Sequence, residues 1–155
     1  MAGSEMVDSA SRVLLGDIGG TNARFALVTD GHMGPIEALS VADYPDYEGV
    51  LAAFLSRHLD GLPISGAVLA VAGAVEANRS MLTNSGWIID AGRLEKAFNF
   101  QDVRVVNDFK ALAWSLPFLT PLDLFAIGGG ERAAAAPAVV LGPGTGLGLA
   151  CFMPR

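Results

Sequence analysis

Residues 13–28, VLLGDIGGTNARFALV, constrain the fold of this chain more than any other stretch. Two apolar, β-favouring runs flank Gly19, Gly20, Thr21 and Asn22, and glycine and asparagine accept the positive φ that tight hairpin turns demand. A dinucleotide loop or a P-loop would have to open a helix after its glycines. Here Phe25, Ala26, Leu27 and Val28 run straight into Thr29, Asp30 and Gly31, too few residues for a helix and bounded by turn chemistry. The stretch reads as strand, turn, strand, which counts against a Rossmann dehydrogenase. Such a turn aligns the backbone N–H groups of Gly19, Gly20 and Thr21 as a cradle for an anion. Asp17, ending the first strand, would lie beside that anion, and a carboxylate there needs a cation between, which points to Mg²⁺. An ordinary glycine-rich hairpin with a solvated Asp would account for a lone Gly-Gly pair; Asp17, Gly19, Gly20, Thr21 and Arg24 together favour phosphate.

The ligand expected is a small molecule. A net charge of -6 and no Lys/Arg cluster argue against a nucleic-acid groove or an anionic membrane surface. With 52% apolar and 17% charged residues in 155, the chain can bury a real core for one domain and is too short for two full ones. Residues 1–11 read as a flexible leader, without the basic and apolar regions of a secretory signal. The longest apolar runs, residues 67–75 and 133–141, are about half of what spans a bilayer. Cys151 is the single cysteine, so no internal disulfide or cysteine-based zinc site can form, and a cytoplasmic location is expected.

Along the chain, residues 36–41 read as a third short strand. A helix then opens at Asp46 or Tyr47, with Val50, Leu51, Phe54, Leu55 and Leu59 at helical spacing and Gly61 and Pro63 ending it. His58 near its end suits the helix dipole or solvent rather than catalysis. Residues 67–75 form a continuous apolar run, as in a central strand buried on both faces, and Gly73 near its end permits a close approach. A helix follows over residues 90–98. Residues 103–109 read as a strand ending in Asn107 and Asp108, followed by a helix over 109–116. Asp108 can be a helix N-cap or, since ligands collect at the carboxyl ends of strands, a site residue. Pro117 and Pro121 mark a link between domains. Residues 138–152 repeat the opening pattern of strand, glycine-threonine turn and strand, which suggests two related half-domains that each offer an anion-binding turn to a shared cleft.

The run Gly16-Asp17-Ile18-Gly19-Gly20-Thr21-Asn22-Ala23-Arg24 resembles the first phosphate motif of the bacterial glucokinases, within the actin-like and hexokinase-like ATPase superfamily. Thr83-Asn84 with Trp87, the Val-Val-Asn-Asp-Phe run ending at Phe109, and the turn at Gly144-Thr145-Gly146 resemble later parts of the same family, in its order, over residues 12–152. The resemblance implies an α/β, actin-like ATPase (ribonuclease H-like) domain with a mixed five-stranded sheet over residues 12–116, and over 117–155 a linker and the first hairpin of an incomplete second domain. It implies ATP-dependent phosphorylation of glucose at the 6-hydroxyl. Gly16, Asp17, Ile18, Gly19, Gly20 and Thr21, with Gly144, Thr145 and Gly146, would hold ATP, and Asp17 would support Mg²⁺. Asp108 would be the catalytic base and Asn107 would orient the sugar, with Asn84 as a further sugar contact. Family members are considerably longer, so this chain alone is expected to be weak or inactive, with its apolar tail a setting for self-association. The alternatives are another sugar kinase of the superfamily and a non-catalytic fragment that binds sugar or nucleotide. A transcriptional regulator is disfavoured, as eleven residues ahead of the first strand leave no room for a helix-turn-helix.

Overall fold

The computed structural model describes residues 12–58, 63–130, 133, 136–143 and 147–154. The chain divides into two compact units, Met1–Val106 and Asn107–Arg155. That division falls ahead of Pro117, where the prolines suggested a boundary.

The first unit is built on a mixed sheet. Strands β1 (Arg12–Ile18) and β2 (Asn22–Thr29) form the antiparallel hairpin expected from the opening stretch, paired from Arg12 with Thr29 to Ile18 with Ala23. Two further strands pair with β2, namely β3 (His32–Met33) at its end and β4 (Glu37–Ser40) at its start. Helix α1 (Tyr47–His58) follows, burying Tyr47, Val50, Leu51, Phe54 and Leu55. Leu59 and Gly61 lie outside the described residues. The chain then returns as β5 (Gly66–Val71), parallel to β1.

Alternation along β1 and β5 sets the core. Leu14, Ile18, Ala67, Leu69 and Val71 point to one face and are buried with the apolar side of α1. A sheet that receives a helix on one face must present that face as an apolar row at period two. Phe25, from β2, packs with its ring tilted against those of Tyr47 and Phe54 of α1, whose centroids are 6.2 and 5.2 Å away.

The apolar run 67–75 is only partly one strand. It leaves the sheet after Val71 and enters a second, antiparallel sheet of β6 (Val75–Glu76), β7 (Arg79–Met81) and β8 (Ile88–Asp90). Ala77 and Asn78 join β6 to β7 with φ of 47° and 60°. Two successive positive φ values match the right-handed twist of a two-residue hairpin, and asparagine is the residue that signals it. Gly73 does allow a close approach, by the Ser80 hydroxyl, which an added Cβ would meet at 3.2 Å.

Helix α2 (Ala91–Phe98) starts on Asp90, whose side chain accepts from the Arg93 N–H, and stops on Asn99 in the left-handed region. Strand β9 (Asp102–Asn107) completes a six-stranded sheet in the order β3-β2-β1-β5-β9, with β4 also on β2. The additional strand relative to the five expected is the two-residue β3, too short to carry a periodic signal.

The second unit holds helix α3 (Asp108–Ser115), two short 3-10 turns, and a hairpin of β10 (Ala138–Pro143) and β11 (Leu147–Phe152). The repeat of the opening pattern is therefore present as a second antiparallel pair, from Ala138 with Phe152 to Pro143 with Leu147. Among the described residues no helix is long and apolar enough to cross a membrane.

Candidate active site

The first group of site residues sits on the β1–β2 turn. The Gly19 N–H donates to the Asn22 carbonyl at 3.0 Å and closes a four-residue loop. Gly19 is thereby removed from the row of three N–H groups expected to cradle an anion, leaving those of Gly20 and Thr21. Neither glycine, nor Asn22, has a positive φ. Loops of this length are most often built on turns with negative φ, so conformational freedom is not what requires glycine here.

What requires it at position 20 is space. A Cβ on Gly20 would lie 2.5 Å from Asn84 Nδ2 and 3.3 Å from Asn84 Cβ and Cγ. Asn84 belongs to the turn between β7 and β8. That turn is pinned by the Leu82 N–H donating to the Trp87 carbonyl at 2.9 Å and by Gly86 donating back to Leu82 at 2.8 Å, with Gly86 at φ 70°. Leu82 and Trp87 are buried, and the Trp87 ring meets Tyr47 edge-on at 6.3 Å. The fold thus brings Gly20 and Asn84, 64 positions apart in the sequence, into contact in the lining of a depression shared with Tyr44, Pro45, Ser85 and Trp87.

Asp17 is exposed, and its Oδ2 takes a hydrogen bond from Arg24 Nη1 at 2.9 Å. The two are direct cross-strand partners in the hairpin. The cation already beside Asp17 is therefore a guanidinium. Among the described residues no group of three or more His, Cys, Asp or Glu side chains could hold a metal alone. A single accessible carboxylate next to a glycine turn nevertheless fits Mg²⁺ of the kind a nucleotide brings, since that ion keeps several waters and takes only one or two protein carboxylates. Gly16 and Ile18 lie on the core side. Ile18 is fully buried and its carbonyl accepts from the Ala72 N–H at 3.0 Å, while a Cβ on Gly16 would be 2.8 Å from Leu69. Their side of the strand supports the turn from within the core.

The second group opens α3. Asn107 is the N-cap, its Oδ1 accepting from the Lys110 N–H at 3.1 Å, and Asp108 is the first helical residue. The N-cap alternative thus falls one position before Asp108. The Asp108 carboxylate is held from two directions through Oδ1, which accepts from Asn107 Nδ2 and from the Phe109 N–H, both at 2.9 Å. Among the described residues Oδ2 takes part in no hydrogen bond. A carboxylate oriented through one oxygen keeps the other for a ligand proton.

Gly144, Thr145 and Gly146 lie outside the described residues. Sequence reasoning missed Gly142 and Gly148, which flank them. These two are cross-strand partners, and an added Cβ on either would run into the Phe109 ring. Their spacing about the Gly144-Thr145-Gly146 turn was the available signal.

A mixed α/β sheet with a glycine turn after its first strand and an Asn-Asp pair opening the helix after its last defines the actin-like ATPase fold. Comparison with known proteins gives the family. A family model described as glucokinase matches residues 14–155. The glucokinase of Paramagnetospirillum magneticum is 42% identical over 143 residues, which are 92% of this chain and 44% of that protein. The crystal structure of a glucokinase from an Antarctic psychrotroph superposes with a TM-score of 0.80 at 33% identity, over 93% of this chain and 47% of its own. The glucokinase of Balamuthia mandrillaris, solved in complex with glucose, shares the fold at a TM-score of 0.67 and 22% identity, over 97% of this chain and 46% of its own. The chain belongs to the glucokinase family, and it spans less than half the length of these relatives.

Proposed function

We propose that this chain supplies the N-terminal part of an ATP-dependent hexose kinase that phosphorylates glucose at its 6-hydroxyl in the cytoplasm, as a step of glycolysis. The observation that carries the reading is Asp108, fixed through Oδ1 by Asn107 and Phe109 while Oδ2 remains to accept a proton. Phosphoryl transfer asks little covalent chemistry of a protein, and positioning with charge neutralisation supplies most of the acceleration. Asp108 takes the proton of the attacking hydroxyl. Asn107 and Asn84 carry amides of the kind that orient sugar hydroxyls, although Asn107 also spends its side chain on the start of α3. Gly20 and Thr21, with Gly19 closing the loop and Gly16 and Ile18 backing it, face the phosphates of ATP, as do Gly144, Thr145 and Gly146. Asp17 would hold Mg²⁺, directly or through water, and the ion when bound would neutralise phosphate charge.

The test is glucose 6-phosphate formation from ATP, Mg²⁺ and glucose by the chain beside its Asp108→Asn variant. Activity lost in the variant supports the reading; equal activity in both removes Asp108 from it. A panel of other hexoses and acetamido sugars separates glucokinase from another sugar kinase of the superfamily. Sugar and nucleotide binding without turnover in any case marks a non-catalytic binding fragment.

We also infer self-association. The hairpin turns Val139, Leu141, Leu147 and Leu149 outward together, and β10 and β11 form a two-stranded sheet among the described residues. Leu122, Phe125 and Ile127 are 98%, 89% and 92% exposed. An apolar sheet face beside strand edges is the surface a second copy of the chain can cover.

A further inference from the structure

We propose that Phe109, seated on the glycine pair Gly142 and Gly148, is a positioning residue that fixes the Asp108 carboxylate relative to the β10–β11 hairpin. The inference rests on the kinase reading of Asp108.

The seat is specific. Gly142 and Gly148 face each other across the hairpin, on the side opposite to Leu141 and Leu149. A Cβ at Gly142 would stand 2.6 Å from Phe109 Cζ and 2.9 Å from Cε1, and one at Gly148 would overlap Cε2, Cζ and Cδ2. Two bare backbones side by side make a flat notch one ring wide, and every other residue type at either position closes it. Van der Waals contact over both faces of such a notch leaves the ring little freedom, because even a small gap forfeits much of the attraction.

The same residue holds the carboxylate. The Phe109 N–H donates to Asp108 Oδ1 at 2.9 Å, and the Asn107 amide does so from the other side. The backbone of Phe109 therefore sets Asp108, while its ring sets the backbone against β10 and β11. In the sequence these strands flank Gly144, Thr145 and Gly146, the turn read as contacting the phosphoryl donor. One aromatic side chain thus ties the group that accepts the proton to the strands that lead to the donor turn, and a misplacement near 1 Å at such a tie is worth roughly a hundredfold in rate.

The experiment compares the full chain with Phe109→Leu, Phe109→Ala, Gly148→Ala and the double Phe109→Ala/Gly148→Ala, reading the Asp108 side-chain carboxyl ¹³C resonance and glucose phosphorylation kinetics. The expected result is that Phe109→Leu and Gly148→Ala each move the Asp108 resonance and lower kcat by roughly ten- to a hundredfold, with KM for glucose little changed. Adding Gly148→Ala to Phe109→Ala should then have little further effect, since no ring remains to displace. An Asp108 resonance unmoved in folded Phe109→Leu and Gly148→Ala overturns the proposal, as does full additivity in the double variant. Where Gly148→Ala does not fold, Phe109→Leu decides, because it keeps the volume apolar and removes only the ring. A wild-type chain that forms no glucose 6-phosphate matches the expectation for a chain under half the length of its relatives, and the seat is then judged by the resonance alone.

Discussion

Gly20 lies so close beneath Asn84 that a Cβ at position 20 would come within 2.5 Å of the Asn84 amide nitrogen. The obstructing atom is the end of a side chain that can rotate. Gly20→Ala should therefore cost only about 1 kcal/mol, the low end of overpacking, while swinging the Asn84 amide away. Adding Asn84→Ala should restore stability. Urea unfolding of the single and double variants, with the Asn84 side-chain amide followed by NMR, measures both effects; equal stability loss in both backgrounds would contradict the contact.

Asp108→Asn keeps the shape of the side chain and removes the basic oxygen. A fall in kcat of roughly 10²- to 10⁴-fold is expected, with the melting temperature within a few degrees of wild type. Steady-state kinetics beside a thermal melt separate loss of the base from loss of the fold.

Tyr47 is fully buried and, among the described residues, its hydroxyl has no hydrogen-bond partner. Burial, and secondarily the charge of Glu48, push its pKa well above the ordinary phenol range. A tyrosine of the unfolded chain ionises near pH ~10, so this contribution to stability is fully present below that value. Above it the unfolded state sheds a proton that the folded state keeps, and stability falls by up to about 1.4 kcal/mol per pH unit. Tyr47→Phe should abolish that alkaline loss and, by removing an unsatisfied polar atom, stabilise the chain by roughly 1 kcal/mol at neutral pH. Denaturant titrations at pH 7 and pH 11 check both parts.

Asn78 clamps the outer strand of the main sheet. Its Nδ2 donates to the Val103 carbonyl and its Oδ1 accepts from the Val105 N–H, each at 2.7 Å. The side chain thereby does for β9 what another strand would. Asn78→Ala loses two hydrogen bonds and places alanine at φ 60°, for an expected cost of about 2–4 kcal/mol. Amide exchange at Val105 should accelerate in the variant; unchanged protection would remove the clamp.

Self-association should depend on protein concentration and weaken when Leu141 and Leu149 are both replaced by Ser. Sedimentation velocity over a hundredfold range of concentration is the measurement. A species that stays monomeric throughout would contradict the role given to the hairpin face.

Much of this protein was legible before folding was considered. The alternation of Leu14 and Ile18, the helical spacing of Val50, Leu51, Phe54 and Leu55, and the polar end of the strand at Asn107 and Asp108 are local patterns, and they determined which segments become strands, which become helices, and where a carboxylate meets a helix start. What only the tertiary structure decided lies between segments far apart in the chain. Gly20 is glycine because of Asn84, Gly142 and Gly148 because of Phe109, and the strand ending at Val71 gives way to a hairpin whose Asn78 reaches β9. Periodicity reports the face on which a residue sits. It carries no information on how closely another backbone or ring approaches that face, because that distance is set only when the elements pack.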